Sequence, residues 1–213
     1  MPARNLSRLL VRAAVTLAGS ALLTGCMNTV TLKSTLDEPP LATRIDAHVG
    51  LAFKGPFVDT HDSRGLLKID FASFSQTRFE QIVEALFAEV SPLPPWPPWR
   101  ETPPRLDGIV EIDRMHLRLV LGDDAHNPDQ VSVEYRTCLY RPAGEPVNCW
   151  ESSAGQVHQR GLGERLFDLG PYLTSLTEAA AREALARFML AFEKDAAVRE
   201  WAAQVAGGRR EQQ

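Results

Sequence analysis

Ile45, Ala47, Val49, Leu51 and Phe53 alternate with Arg44, Asp46, His48, Gly50 and Ala52. A period of two is what a half-buried β-strand imposes, and Gly55-Pro56 closes this one. A polar stretch from Asp59 to Gly65 reads as a loop, and the short apolar run Leu66 to Phe71 reads as a minor strand. The period then changes. Phe79, Ile82, Val83, Leu86, Phe87 and Val90 form one stripe, with Arg78, Glu80, Gln81, Glu84 and Glu89 opposite, which predicts an amphipathic helix. Ser73 with Gln76 has the spacing of a capping box at its start, and Ser91-Pro92 is its expected end.

Pro92-Leu93-Pro94-Pro95-Trp96-Pro97-Pro98-Trp99, continued by Arg100 to Pro104, holds too few backbone donors for a helix or a central strand. It predicts an extended, polyproline-like crossover. Trp96 and Trp99 within it either pack back on the domain or form an aromatic platform that binds a partner. Leu106 to Leu121 reads as a long strand. Its apolar phase moves from Val110 and Ile112 to Met115, Leu117, Leu119 and Leu121, which places a bulge near Asp113 and Arg114.

Val131 to Arg141 and Val147 to Ala154 are strand-like runs around the turn residues Pro142 to Pro146. A hairpin centred between Ala143 and Gly144 sets Tyr140 opposite Val147, Cys138 opposite Cys149 and Arg136 opposite Glu151, with Val133, Tyr135, Leu139 and Trp150 facing inward. A last helix follows, with Ser175 and Glu178 as its capping box and Ala181, Ala184, Leu185, Phe188 and Phe192 as its stripe. Val198, Trp201 and Val205 lie on a shifted face, so a kink or a second helix begins near Asp195, and Gly207-Gly208 is the expected stop.

This order of elements predicts an α+β fold: a two-layer sandwich in which a mainly antiparallel sheet is covered by two amphipathic helices. The expected domain spans residues 41–206, with 207–213 a disordered tail. The order, together with the long strand and hairpin (Gly144 to Trp150) before an Ala-rich helix, resembles the envelope lipoproteins that share the fold of the lipopolysaccharide-assembly lipoprotein and of the ABC-transporter auxiliary lipoproteins.

The first residues explain why an envelope protein is expected. Arg4, Arg8 and Arg12 precede an apolar run from Ala13 to Leu23, too short to span a bilayer, and then come small residues. That is the order of a secretory signal. Leu23-Thr24-Gly25-Cys26 resembles the bacterial lipobox, which implies removal of residues 1–25 and lipidation of Cys26. Acyl chains on that residue would supply more than the two signals that stable anchoring takes. Met27 after the Cys implies, by the same resemblance, the outer membrane facing the periplasm. Residues 26–40, polar and ending in Pro39-Pro40, then read as a lipidated tether.

Removing the leader changes the charge. It holds three Arg and no acid, leaving 20 Lys and Arg against 27 acidic residues, a formal −7 compared with −4 for the whole chain. An acidic domain gains nothing from phosphate counterion release, so nucleic acid is not an expected partner. In an oxidising compartment, Cys138 and Cys149, the cysteines left after Cys26, read as one disulfide.

Candidate chemistry is thin. Asp59, His61 and Asp62 could in principle bind a metal or act as acid and base, but they, like Asp123, Asp124 and His126, read as ordinary turn residues without further ligands spaced to complete a site. Ser152 and Ser153 lack a nucleophile elbow, and Gly161-Leu162-Gly163 lacks the strand-before, helix-after context of a phosphate loop. No catalytic residue, cofactor or metal is expected. The sequence points to a non-catalytic lipoprotein that binds or supports another envelope component, a protein complex or a lipid, through the groove between helices and sheet or through the proline-rich crossover. An accessory role in lipid or lipopolysaccharide transport is the alternative, and an envelope hydrolase stands behind both.

Overall fold

The structure, a computed structural model, describes residues 28–32, 43–54, 57, 60–61, 67–94, 105–122, 127–159 and 169–210. The strands are β1 (Asn28–Val30), β2 (Ile45–Phe53), β3 (Thr60–His61), β4 (Leu67–Ile69), β5 (Phe87–Pro92), β6 (Gly108–Val120), β7 (Asp129–Tyr140) and β8 (Pro146–His158). The helices are α1 (Phe71–Leu86), α2 (Leu169–Lys194) and α3 (Ala196–Arg210). A five-stranded open sheet runs β5-β2-β6-β7-β8, and a small one runs β1-β4-β3.

The fold is the expected α+β sandwich, with the helices on one face of the larger sheet. That sheet is mixed: β5 and β6 both pair parallel to β2, whereas β6, β7 and β8 form a long antiparallel meander. Parallel neighbours require crossovers. Helix α1 supplies the one between β2 and β5, and the proline-rich stretch supplies the one from β5 to β6.

Periodicity located the core faces correctly and the helix ends less well. Helix α1 starts after Asp70, which makes no side-chain capping bond, so Ser73 lies inside the helix and the Ser73–Gln76 capping box does not form. The helix stops at Leu86. Phe87 is extended (φ −124°, ψ 152°) while its N–H still bonds Val83 O, so the chain passes from helix to strand without a loop. Phe87 and Val90, read as the end of the helical stripe, therefore belong to β5. Arg78 lies on the buried side, its guanidinium 5.2 Å from the Phe74 ring centre. A cation over an aromatic face with its stem buried can occupy an apolar side of a helix.

Helix α2 starts at Leu169, ahead of the Ser175–Glu178 box, so that box does not form either. The break at Asp195 occurs as expected and yields a third helix. Helix α3 runs through Gly207 and Gly208 to Arg210, so part of the expected tail is helical, while 211–213 lie outside the described residues.

The bulge at Asp113 is present, as a register shift between Ile112 and Arg114. It keeps Val110 and Ile112 before it, and Leu117 after it, buried against the helices. Aromatic rings join the layers: Tyr135 meets Phe79 at 5.1 Å, Trp150 meets Phe192 at 5.2 Å, and Phe87 meets Trp201 at 6.1 Å. Each such pair contributes roughly 0.5–1.5 kcal/mol beyond its area burial.

In the hairpin, Cys138 pairs with Cys149 and Arg136 with Glu151 as read from the sequence, and the two cysteines are bonded, with Cα atoms 4.1 Å apart. The turn end differs, because Tyr140 pairs with Pro146 rather than Val147. Gly144 takes φ 87°, a conformation that favours glycine, and its N–H bonds Arg141 O. The ion pair of Arg136 goes to Asp113, at 3.3 Å, rather than to Glu151.

One stretch of the expected tether is part of the fold. Asn28–Val30 pairs parallel with Leu67–Ile69, and Leu32 is buried in the main core.

Candidate functional site

Gln76, Glu80 and Glu84 recur at four-residue spacing, which puts them on one line along α1. Because α1 runs directly into β5, that line overlooks the ends of β2 and β5. Between them lies a cleft of about 400 Å³, with Leu51, Phe53, Val90, Pro92 and Leu93 as its apolar wall and the three α1 side chains as its polar rim. The volume is in the usual range for a ligand or side-chain pocket. Phe57 packs edge-on against Phe53, with ring centres 6.5 Å apart.

The cleft lies at the root of the proline-rich crossover. Leu93 N–H bonds Leu51 O at 2.8 Å, and Asp107 N–H bonds His48 O at 2.8 Å, so both ends of the crossover are pinned to β2. Gly50 lies beneath them: a Cβ there would come within 2.5 Å of Leu93 Cδ1 and 3.0 Å of Leu106 Cδ1. Trp96 and Trp99 themselves lie outside the described residues, as does Cys26.

On the helix-free face, His48 Nε2 lies 2.9 Å from Ser91 Oγ and 3.7 Å from Glu89 Oε1. A hydroxyl activated by a base needs the acid on the opposite ring nitrogen. Here hydroxyl and carboxylate approach the same nitrogen, so the group has the contacts of a surface hydrogen-bond cluster.

A second polar cluster lies where Glu111 pairs with Cys138 across β6 and β7. Lys54 Nζ lies 3.1 Å from Asp113 and 4.0 Å from Glu111, and Arg136 reaches the other oxygen of Asp113. Burial raises the Glu111 carboxyl above its ordinary range, with the Lys54 charge opposing the shift. The hydrogen bond to Asp113 raises Lys54, and burial raises the Tyr140 hydroxyl. Asp113 reaches both cations because the bulge re-aims it.

The described residues leave out most of the loop candidates. Asp59, Asp62, Asp123, Asp124, His126 and Gly161 to Gly163 lie outside them, and so does the side chain of His61. Ser152 is buried and Ser153 exposed on β8. No group of three or more His, Cys, Asp or Glu side chains is placed to hold a metal among the described residues, nor is any described helix long and apolar enough to cross a membrane. Sequence reasoning saw Glu80 and Glu84 only as the solvent side of a helix. Their spacing was visible, but the strand packed beside them was not.

No family model matches this chain, and no curated protein does. Several solved structures are similar in outline. A Xanthomonas campestris protein of the DUF330 family shares 12% identity at a TM-score of 0.46, over 87% of this chain and 98% of its own. A minor lipoprotein of Acinetobacter baumannii shares 6% at 0.44, over 70% of this chain and 92% of its own. A neuraminyllactose-binding hemagglutinin homologue from Helicobacter pylori shares 12% at 0.46, over 84% of this chain and 100% of its own. Likenesses this distant carry no activity, ligand or partner to this chain.

Proposed function

We propose that the chain is made as a precursor, lipidated at Cys26 and held at the outer membrane, and that its domain is a non-catalytic module binding a protein of the envelope through the α1–β5 cleft. The leader and Leu23-Thr24-Gly25-Cys26 support the anchor. The cleft carries the binding reading: an apolar wall offers area to bury, and the Glu80 and Glu84 rim favours a cationic or hydrogen-bonding segment. The same carboxylates oppose phosphate-bearing head groups, which weighs against lipid or lipopolysaccharide transport through this cleft.

The test is a photo-crosslinking residue at Val90 in the full-length lipoprotein, activated in its native envelope. A discrete protein adduct is expected, and it is lost in a Glu80→Lys, Glu84→Lys variant that is still lipidated and folded. A parallel Trp96→Ala, Trp99→Ala variant reports whether the crossover takes part. Adducts with phospholipid or lipopolysaccharide alone would move the reading to lipid transport, and no adduct of either kind would overturn both.

A further inference from the structure

We infer that β1 seats the domain directly on the bilayer that carries its lipid, with the β1–β4–β3 sheet as the membrane-proximal part; the inference rests on lipidation of Cys26. The pairing Asn28↔Leu67, Thr29↔Lys68 and Val30↔Ile69 makes Asn28 a fixed point of the folded domain. Ile69 is fully buried, and Leu32, two residues beyond β1, is in the same core. The strand is therefore held at one side by hydrogen bonds and at its end by packing.

Only Met27 separates Cys26 from Asn28. At about 3.4 Å per residue, the lipid-bearing sulfur lies within roughly 10 Å of the first strand pair. A flexible tether of fifteen or so residues would let the domain range several nanometres from its anchor, whereas a single residue leaves no such freedom. Residues 33–42 follow β1 in sequence and so do not separate it from the lipid.

The occupant of this end of the molecule is a lipid surface. It is held there by covalent geometry, because the mature chain is acidic and anionic head groups offer it no attraction. The consequence for partners is a limit on reach. A domain of this size is about 40 Å across, so the cleft meets components embedded in, or lying against, the same membrane and not those across the periplasm.

The test uses the full-length lipoprotein, with lipidation of Cys26 confirmed by mass spectrometry, in vesicles of phosphatidylethanolamine and phosphatidylglycerol. A fluorophore is attached at Lys68→Cys on β4, and a quencher is carried on the lipid head groups. The expected result is quenching several-fold stronger than in a variant with a ten-residue Gly-Ser insert between Met27 and Asn28. Amide exchange at Val30 and Ile69 should stay protected on the vesicles in both. Equal quenching in the two proteins, or loss of that protection in the uninserted one, overturns the inference while leaving the anchor intact. An unmodified Cys26 removes the anchor and this inference together.

Discussion

The indole N–H of Trp150 donates a 3.0 Å hydrogen bond to Asp195 Oδ2, across the layer between β8 and the junction of α2 with α3. Asn148 donates to the same oxygen, and Asp195 Oδ1 accepts the Ala197 N–H at 2.8 Å, capping α3. Asn148 and Trp150 flank Cys149, so one carboxylate ties the disulfide hairpin to the helical layer.

Asp195→Ala removes a helix cap and leaves two donors in a partly buried site, which should lower stability by about 2 kcal/mol. Urea unfolding measures this. Asp195→Asn, which retains an acceptor, should recover part of the loss, and an alanine variant indistinguishable from wild type would show that water replaces the carboxylate.

The two shifted carboxyls act in opposite directions with pH. Burial opposes the charge of Asp195, but bonds from Asn148, Ala197, Trp150 and Val198 outweigh it and hold its pKa below the ordinary 3.8. Its contribution is present above that value and is lost as pH falls through the folded one. Glu111 is raised above 4.5 by burial, so its contribution is present below that value and lost as pH rises through the folded one. Glu111→Gln should therefore gain on wild type as pH rises from 4 to 7, read from denaturation at a series of pH values; a parallel pair of curves would contradict the raised Glu111.

The bridge between Cys138 and Cys149 closes a short loop, separation 11, and should contribute about 3 kcal/mol. Replacing both by Ser should lower the unfolding free energy by that amount and keep the hairpin register, which the buried Tyr135, Leu139 and Trp150 set independently.

Gly108 opens β6 under the Trp201 ring. An added Cβ would meet Trp201 Cζ2 at 2.9 Å and the Tyr140 carbonyl oxygen at 3.1 Å, and neither can move freely. Gly108→Ala should cost about 2 kcal/mol and perturb Trp201 fluorescence. Gly155 on β8 is the control: an added Cβ there would stand 3.4 Å from the Val131 carbonyl oxygen, an ordinary contact distance.

The amphipathic patterns of β2, β6, β7, β8 and α2, the bulge at Asp113 and the pairing of Cys138 with Cys149 were all legible in the residues, because periods of two and 3.6 are local properties of the backbone. The end of α1 was not. Phe87 and Val90 continue the helical stripe, and they become strand because β2 offers them a parallel edge, a contact 42 residues away in sequence at Ile45↔Phe87. Arg78 differs: the ring it covers, Phe74, lies four residues earlier on the same helix, a local pairing that its assignment to the polar side of the stripe overlooked.

The cleft belongs to the same class. The sequence by itself determined its ingredients: a line of Gln76, Glu80 and Glu84, an alternating strand ending in Phe53, and a chain of prolines after Leu93. Only tertiary structure decided that these meet, and that Asn28–Val30 is a strand and not a spacer, because parallel pairing joins segments whose relation depends on everything folded between them.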